Sequence, residues 1–241
     1  MLARRYSGCS PVCAEYKRCS EDSENRHQSS IAAMNYKALT PCGDDAIRVV
    51  TKEPRDRYAI AELLGEQRDW TEVVVGRENV TVQFDPNQIH PDDATQKLQN
   101  MLRQDMLQAS TEDCIRTIQV QANPQVSPDL ADLAANNHCT EFQFLQRIKQ
   151  SALHVDMLGF APGFAYVAGV DPELRGTRLE HPRQVVKAGS VGFIQGFLGL
   201  YALDGPGGWP IIGRTDAILF DETARDPFLM KPGMHLEFEW V

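Results

Sequence analysis

The stretch of sequence that decides the fold runs from Asp156 to Thr215. It reads DMLGFAPGFAYVAGVDPELRGTRLEHPRQVVKAGSVGFIQGFLGLYALDGPGGWPIIGRT. Most of the protein's 17 glycines lie inside it. Glycine occurs where φ must be positive, or where another backbone or a ligand comes close. The stretch therefore specifies backbone geometry at many points, and it predicts a shaped site as well as a core.

Short β-strand patterns run through and beyond this stretch. Apolar residues recur in brief runs that end at Gly, Pro or Asp turns. The predicted strands are Val155–Phe160, Val185–Lys187, Val191–Ile194, Leu198–Leu203, Ile211–Ile212, Ala217–Phe220 and His235–Trp240. Many short strands with this punctuation are typical of a closed or nearly closed β-structure. We therefore predict a β-barrel domain over residues 116–241.

Two helices are predicted ahead of these strands. Ser127, followed by Pro128, is a candidate N-cap for the first helix. Thr140 is a candidate N-cap for the second, which is expected to run to Lys149 with its apolar residues at helical spacing.

Residues 34–115 carry a different order of patterns, β-α-β-β-α. A strand at 46–50 precedes a short amphipathic helix at 57–65, and a hairpin pattern surrounds residues 76–78. A second helix is expected from Pro91 to about Gln108. This order predicts a small α+β domain with helices on one face of an antiparallel sheet.

Residues 1–33 have no apolar period and predict a disordered leader. Cys9, Cys13 and Cys19, with His27 beyond them, raise the alternative of a zinc site, but their spacing fits no standard C-x2-C finger. Free cysteines in a tail are the preferred interpretation.

Composition excludes several classes of protein. The 241 residues carry a formal charge of −9, which argues against a nucleic-acid binder. The sequence contains no run of 18 apolar residues, so no membrane span is predicted. The six cysteines are sparse and scattered, as is typical of the reducing cytosol, so a cytoplasmic location is expected.

Two groups of residues between the glycines suggest a ligand site. Pro162 and Gly163 fix a sharp turn whose flanking aromatic residues, including Tyr166, either pack beneath it or face a ligand. His181 is titratable and lies beside Arg183, with Lys187 following. If that segment is a strand, the two cations face one side and suit a carboxylate or phosphate; the alternative is a solvated strand face.

A third group lies further along the stretch. Ser190 is not in a G-x-S-x-G elbow, so it is interpreted as a turn residue or as a hydroxyl that bonds a ligand. Trp209 follows a glycine-rich loop and lies close to Arg214 and Thr215, which predicts a lid or wall over a planar or anionic ligand. No G-x-x-x-x-G-K-[ST] motif is present, so this chain is not expected to hold ATP in a P-loop. The sequence contains no H-x-H or H-E-x-x-H pattern, so a catalytic metal is not expected.

These motifs resemble those of the family of KipI, allophanate hydrolase subunit 1 and the 5-oxoprolinase B-subunit, the carboxyltransferase domain with subdomains C and D. The matching segments are Gly159–Tyr166, Pro182-Arg183, Ala188–Val191, Gly199–Tyr201, Gly205–Thr215, Asp221, Pro227–Leu229 and Lys231–Gly233. The resemblance covers the chain from about Tyr36, and it is strongest after residue 150.

The resemblance implies a ferredoxin-like α+β domain followed by a cyclophilin-like β-barrel. It also implies a KipA-like partner, similar to the 5-oxoprolinase C-subunit, together with a third subunit and ATP supplied to the complex. The expected activity is ATP-dependent opening of a lactam, 5-oxoproline to glutamate. One hypothesis is therefore a subunit of such an amide hydrolase, inactive without its partner and acting on a small acidic or amide substrate. The alternatives are a non-catalytic regulator that inhibits a sensor histidine kinase, as KipI does, and a subunit of an allophanate hydrolase or urea carboxylase.

Site residues follow from the enzyme hypothesis. The expected catalytic residues are His181, Arg183 and Arg214. The expected substrate-binding residues are Pro162, Gly163, Tyr166, Lys187, Ser190, Trp209 and Thr215.

This chain also departs from the family pattern. His181 replaces a threonine, Lys187 a proline and Phe197 a glutamine, and the segment 121–127 lacks the family's glycines. These changes predict either a reshaped or inactive pocket, or a fit to a different acid.

Overall fold

The computed structural model describes residues 36–53, 55–65, 67–104 and 115–241. The predicted leader, with its cysteines and His27, and the last predicted turn of the helix toward Gln108 lie outside these ranges. No helix within them is long and apolar enough to cross a bilayer. The chain from Met34 onward forms one compact unit.

A four-stranded antiparallel sheet is built from the first half of the described chain. Its strands are β1 (Tyr36–Pro41), β2 (Ala46–Thr51), β3 (Glu72–Val75) and β4 (Asn79–Gln83), in the order β1-β2-β4-β3. Two helices pack against it, α1 (Asp56–Gly65) and α2 (Pro91–Gln104). The shared core contains Val49, Val80, Leu64 and Leu98, each with no exposed surface.

The first strand, β1, was not predicted, because its half-exposed edge position imposes no apolar alternation on its residues. The strand after α2 in the described chain, β5 (Ile115–Val120), joins a different sheet. The ferredoxin-like arrangement, which ends on a strand of the same sheet, therefore stays a prediction.

The second sheet has seven strands in the order β12-β9-β10-β7-β6-β13-β5 and curls into a half-barrel, consistent with a cyclophilin-like fold. Its other strands are β6 (His154–Leu158), β7 (Ala165–Ala168), β9 (Ser190–Ile194), β10 (Phe197–Leu200), β12 (Ile211–Arg214) and β13 (His235–Trp240). A two-stranded ribbon of β8 (Arg183–Val186) and β11 (Gly205–Gly207) completes the half. The pair β5–β13 is parallel, whereas the other pairs in the seven-stranded sheet are antiparallel.

Strand prediction missed β7 and β11, and it added one strand that does not exist. The segment 217–220 is not a strand; within it, only Phe220 makes an isolated bridge, to Phe228. The two aromatic rings lie 5.3 Å apart, so the apolar residues that suggested a strand pack across a loop instead.

Two helices close one side of the curled sheet, α3 (Leu130–Asn136) and α4 (Glu141–Lys149). Thr140 caps α4 through a complete capping box with Gln143, as predicted. Phe144 of α4 meets Phe193 of β9 edge-on, with ring centroids 5.2 Å apart, and both are fully buried. This contact fixes α4 on the sheet.

The predicted N-cap of α3 was wrong. Ser127 Oγ donates a hydrogen bond to the Asn123 carbonyl, 2.6 Å away, and Asp129 is the residue that precedes the helix. The Asp129 side chain makes no cap, because both its oxygens are bonded elsewhere. One accepts from Arg183 at 2.8 Å and the other from the Ile211 N–H at 2.6 Å.

A buried ion pair links helix α1, which packs on the four-stranded sheet, to the seven-stranded sheet. Arg57 of α1 has 1% of its side chain exposed, and it donates to the carboxylate of Asp156 in β6. Its guanidinium also reaches the Asp156 carbonyl at 3.1 Å and the Tyr58 hydroxyl at 2.6 Å. Asp156 lies where the register between β6 and β7 shifts. The ion pair therefore fastens the first layer to an irregular point of the barrel sheet.

Candidate functional site

An aromatic cavity of about 230 Å³ lies between the β6–β7 turn and the β8–β11 ribbon. Five aromatic side chains and one arginine share its wall with backbone from a glycine-rich loop. The lining residues are Phe160, Phe164, Tyr166, Arg178, Leu179, Pro182, Tyr201, Pro206, Gly207, Gly208 and Trp209. A mostly apolar wall with a few polar groups is the usual composition of a small-molecule site.

Phe164 is the centre of the aromatic wall. Its ring centroid lies 4.9 Å from that of Tyr166, 5.0 Å from Tyr201 and 6.1 Å from Trp209, each in edge-to-face geometry. Such contacts lock the rings in place. Gly199 makes this packing possible: a Cβ there would lie 2.8 Å from Phe164 and 2.9 Å from Trp209. The glycine-rich motif thus leaves room for the rings.

The turn between β6 and β7 sets one edge of the cavity. Phe160 adopts a positive φ of 71° and is 65% exposed, while Gly163 has φ of 74°. A side chain on Gly163 would collide with Phe220 and Ala202. Pro162 and Gly163 therefore shape the turn but do not line the cavity, whereas the flanking Phe160 and Phe164 do.

Tyr201 supplies a neutral hydroxyl to the wall. Burial raises the pKa of its phenol, and the Trp209 backbone N–H and the charges of Arg178 and Arg183 only partly oppose this. The phenol therefore remains protonated at neutral pH and keeps an O–H that can donate to a ligand.

Arg178 is the cation in the cavity lining. Its Cζ lies 6.0 Å from the centroid of the Trp209 ring, within the range of a cation–π contact. Arg178 is exposed at the cavity mouth, and its side chain pairs with no carboxylate among the described residues.

Trp209 and Tyr166 line the cavity as the sequence suggested. Trp209 is only 4% exposed, so it is part of the fixed wall and not a lid. His181 is exposed and precedes Pro182, which lines the cavity. His181 itself does not line the cavity, although it was expected to be catalytic.

Arg183 does not line the cavity, contrary to expectation. It forms an ion pair with Asp129 at 2.8 Å, and that carboxylate also accepts the Ile211 N–H. One nitrogen of the Arg183 guanidinium, Nη1, is buried without a hydrogen-bond partner. Arg183 thus joins β8 to the start of α3 behind the cavity wall, and its charge is largely compensated.

Lys187 lies away from the cavity lining as well. It follows β8 and forms an exposed ion pair with Asp204 at 2.8 Å. The bond from Lys187, together with the Ala188 N–H, lowers the pKa of Asp204. Arg183 and Lys187 thus have separate carboxylate partners, so the structure does not bring them together on one anion.

Ser190, Arg214 and Thr215 form a support behind Tyr201. Ser190 and Thr215 are buried, and Arg214 Nε donates to the Ala188 carbonyl at 3.1 Å. The Tyr201 backbone bonds to the turn before β9 in both directions, through Gly189 at 2.7 Å and Ser190 at 3.0 Å. These residues hold the wall and do not line it.

The expected site residues did not include Phe160, Phe164, Arg178 or Tyr201. Phe160 and Phe164 flank Pro162 and Gly163, where packing and ligand contact were left as alternatives, and Tyr201 lay inside a motif without being assigned to a site. Arg178 lies in a segment between β7 and β8 with no strand and no motif. Only its proximity to Trp209 in space identifies it.

A larger and shallower depression, of about 420 Å³, lies at the turn between α3 and α4. Its cation, Arg147, is already bonded to Asp171 at 2.7 Å and Glu173 at 3.0 Å. The side chain of Asn137 is likewise fully used by the backbone of Leu133 and Arg175. The arginine of this depression is therefore compensated, whereas the arginine of the aromatic cavity pairs with no carboxylate of the described residues and lies beside five aromatic side chains, so the aromatic cavity is the better candidate.

The curled sheet is consistent with a cyclophilin-like fold, and the aromatic cavity is a candidate small-molecule site. Sequence comparison is more specific: the chain belongs to the family described as carboxyltransferase domain, subdomain C and D, whose sequence model matches residues 37–230. The resemblance drawn from the motifs is confirmed.

Curated relatives narrow the comparison. The 5-oxoprolinase B-subunit of Haemophilus influenzae is 32% identical over 187 residues, which is 78% of this chain and 87% of the relative. The protein of the same name from Escherichia coli O157:H7 is 32% identical over 181 residues, which is 75% of this chain and 83% of the relative.

A solved structure shares the fold. The urea carboxylase of Kluyveromyces lactis superposes with a TM-score of 0.62 at 18% identity, over 89% of this chain and 22% of that much longer one. At this identity the likeness concerns the fold alone.

Proposed function

We propose that this chain is the B-subunit of a 5-oxoprolinase complex, which opens the cyclic amide of 5-oxoproline to glutamate with hydrolysis of ATP. The observation that carries the proposal is the match to relatives of that name over most of both chains. The aromatic cavity supports it, since it provides a site of suitable size for a small ring compound. A ferredoxin-like first domain, with a boundary near residue 115, is part of the same proposal.

The chemistry explains why more than one subunit is needed. Opening the lactam breaks the C–N bond, places a water-derived oxygen on the carbonyl carbon and a proton on the nitrogen. An amide carbonyl is a poor electrophile, so ATP must activate it. This chain has no P-loop sequence. A KipA-like partner, similar to the 5-oxoprolinase C-subunit, and a third subunit would complete the machinery.

The residues of this chain would bind and orient the acid. The rigid rings around Phe164 would exclude water from one face of the substrate, and Tyr201 would donate a hydrogen bond. His181, exposed and next in the chain to the lining residue Pro182, is the candidate to move a proton. Arg183 and Arg214 would act from behind the wall, as supports for the residues that touch the substrate.

Coexpression tests the proposed function. The chain, produced with a KipA-like partner and the third subunit, is expected to form a complex that hydrolyses ATP only when 5-oxoproline is added. Glutamate should appear in step with ADP. An intact complex with no 5-oxoproline-dependent turnover would overturn the proposal.

The regulator hypothesis gains little from the positions that depart from the family pattern. Lys187 lies in an exposed ion pair outside the cavity. Phe197 lies under the guanidinium of Arg77, with its centroid 5.5 Å from the Arg77 Cζ, between the two sheets. Neither substitution enters the cavity lining, so both leave a binding site intact.

A further inference from the structure

We propose that Arg178 is the carboxylate receptor of the aromatic cavity, and that the cavity selects small cyclic acids carrying a single negative charge. The choice of 5-oxoproline as the probe rests on the proposed function. The assignment of Arg178 rests on the arrangement of charges and rings alone.

The cations near the cavity differ in whether a carboxylate pairs with them. Arg183 is paired with Asp129 and Lys187 with Asp204, each at 2.8 Å. Arg214 donates to the Ala188 carbonyl and does not line the cavity. Arg178 lines the cavity, and no carboxylate of the described residues neutralises it. An incoming anion therefore meets an uncompensated charge at Arg178.

Arg178 lies beside an aromatic ring that is fixed in place. Trp209 is buried and held by Phe164 and Tyr166, at centroid distances of 6.1 Å and 5.9 Å. The Arg178 guanidinium lies 6.0 Å from this fixed ring. A guanidinium placed against an aromatic ring keeps its N–H edge free for a two-point contact with a carboxylate.

The charge, the rings and the hydroxyl of the cavity lining together favour one class of ligand. One cation in the lining matches one negative charge, whereas a phosphate dianion would call for more. The faces of the surrounding rings suit the CH₂ groups of a small saturated ring. The Tyr201 hydroxyl, which is protonated at neutral pH, provides a donor for a carbonyl oxygen. A cyclic amide acid has all three features.

Binding to the full chain tests this assignment. Titration calorimetry would compare 5-oxoproline with 2-pyrrolidinone, which has the same lactam ring but no carboxylate. Arg178→Gln is expected to weaken 5-oxoproline binding by about tenfold to a hundredfold, as loss of a charged hydrogen-bond partner implies, and to leave 2-pyrrolidinone unchanged.

The matched control is Arg175→Gln. Arg175 is exposed and lies three residues before Arg178, but it does not line the cavity. The Arg175→Gln variant should bind both compounds as the wild type does. The proposal is overturned if Arg178→Gln binds 5-oxoproline normally, if it loses both compounds equally, or if the wild type binds 5-oxoproline no better than 2-pyrrolidinone.

The same variants in the assembled complex separate this inference from the proposed function. A higher KM for 5-oxoproline in Arg178→Gln, with the Arg175→Gln value unchanged, supports both. Normal kinetics in Arg178→Gln would refute the receptor and leave the function standing. Arg178-dependent binding by the chain, without turnover by the intact complex, would refute the function and leave the receptor standing.

Discussion

Replacing Arg57 with methionine is expected to lower the free energy of unfolding by about 3–5 kcal/mol, because the buried carboxylate of Asp156 then loses its cationic partner. Asp156 has 9% of its side chain exposed, and one of its oxygens, Oδ2, already has no partner. Without Arg57, the charge on Asp156 would have no compensation in the protein interior. Urea unfolding followed by tryptophan fluorescence measures the change.

Two controls define what this result means. In Arg57→Met/Asp156→Leu, both charges are removed, so stability should return to within about 1–2 kcal/mol of the wild type. The exposed pair Lys231–Asp226, with N···O of 2.6 Å, provides the surface comparison: Lys231→Met should cost no more than about 1 kcal/mol. If Arg57→Met costs as little as Lys231→Met, the buried pair does not fasten the two sheets.

Replacing Gly189 with alanine is expected to be the second severe change. Gly189 has φ of +81°, and a Cβ there would overlap the carbonyl oxygen of Thr215, which is backbone and cannot rotate away. Gly196 has nearly the same φ, +83°, but its Cβ would meet nothing within 4 Å. Gly196→Ala therefore isolates the backbone strain, expected at about 1–2 kcal/mol.

The difference between the two alanine variants measures the steric term. Gly189→Ala should be less stable than Gly196→Ala by about 1–3 kcal/mol, the usual cost of overpacking. It should also weaken ligand binding, since the Gly189 N–H holds the Tyr201 carbonyl at 2.7 Å. Equal stability in the two variants would show that the turn yields freely, and that the Gly189–Thr215 contact does not fix the wall.

The local parts of the fold were predictable from sequence because their causes are local. The capping residue Thr140 and the apolar period of α4 depend on neighbours in the chain. The pairing of β5 with β13 was not predictable, because alternating apolar residues do not specify a partner strand. The ladder of β1, an edge strand, left too weak a pattern to detect.

Some residues of the candidate site were also recognisable from the sequence, whereas others depend on contacts between distant parts of the chain. Trp209 and Tyr166 were identified because aromatic residues among glycines are conspicuous in a sequence. The ion pair of Arg183 could not be foreseen, because its partner, Asp129, is 54 residues away in the chain. Whether a cation is free or compensated depends on such distant carboxylates. Arg178 was missed for the converse reason, since only the folded chain shows that no carboxylate in the described ranges pairs with it.

The position of β13 has a consequence for the order of folding. This strand lies inside the seven-stranded sheet, between β6 and β5, and Gln119 of β5 bonds to Glu239 of β13 across 120 residues. Closing so long a loop is slow, whereas the four-stranded layer forms from strands close in sequence. Until β13 docks, β5 and β6 expose unpaired edges. We therefore expect the nascent barrel to pass through an aggregation-prone interval that ends when residues 235–240 are in place.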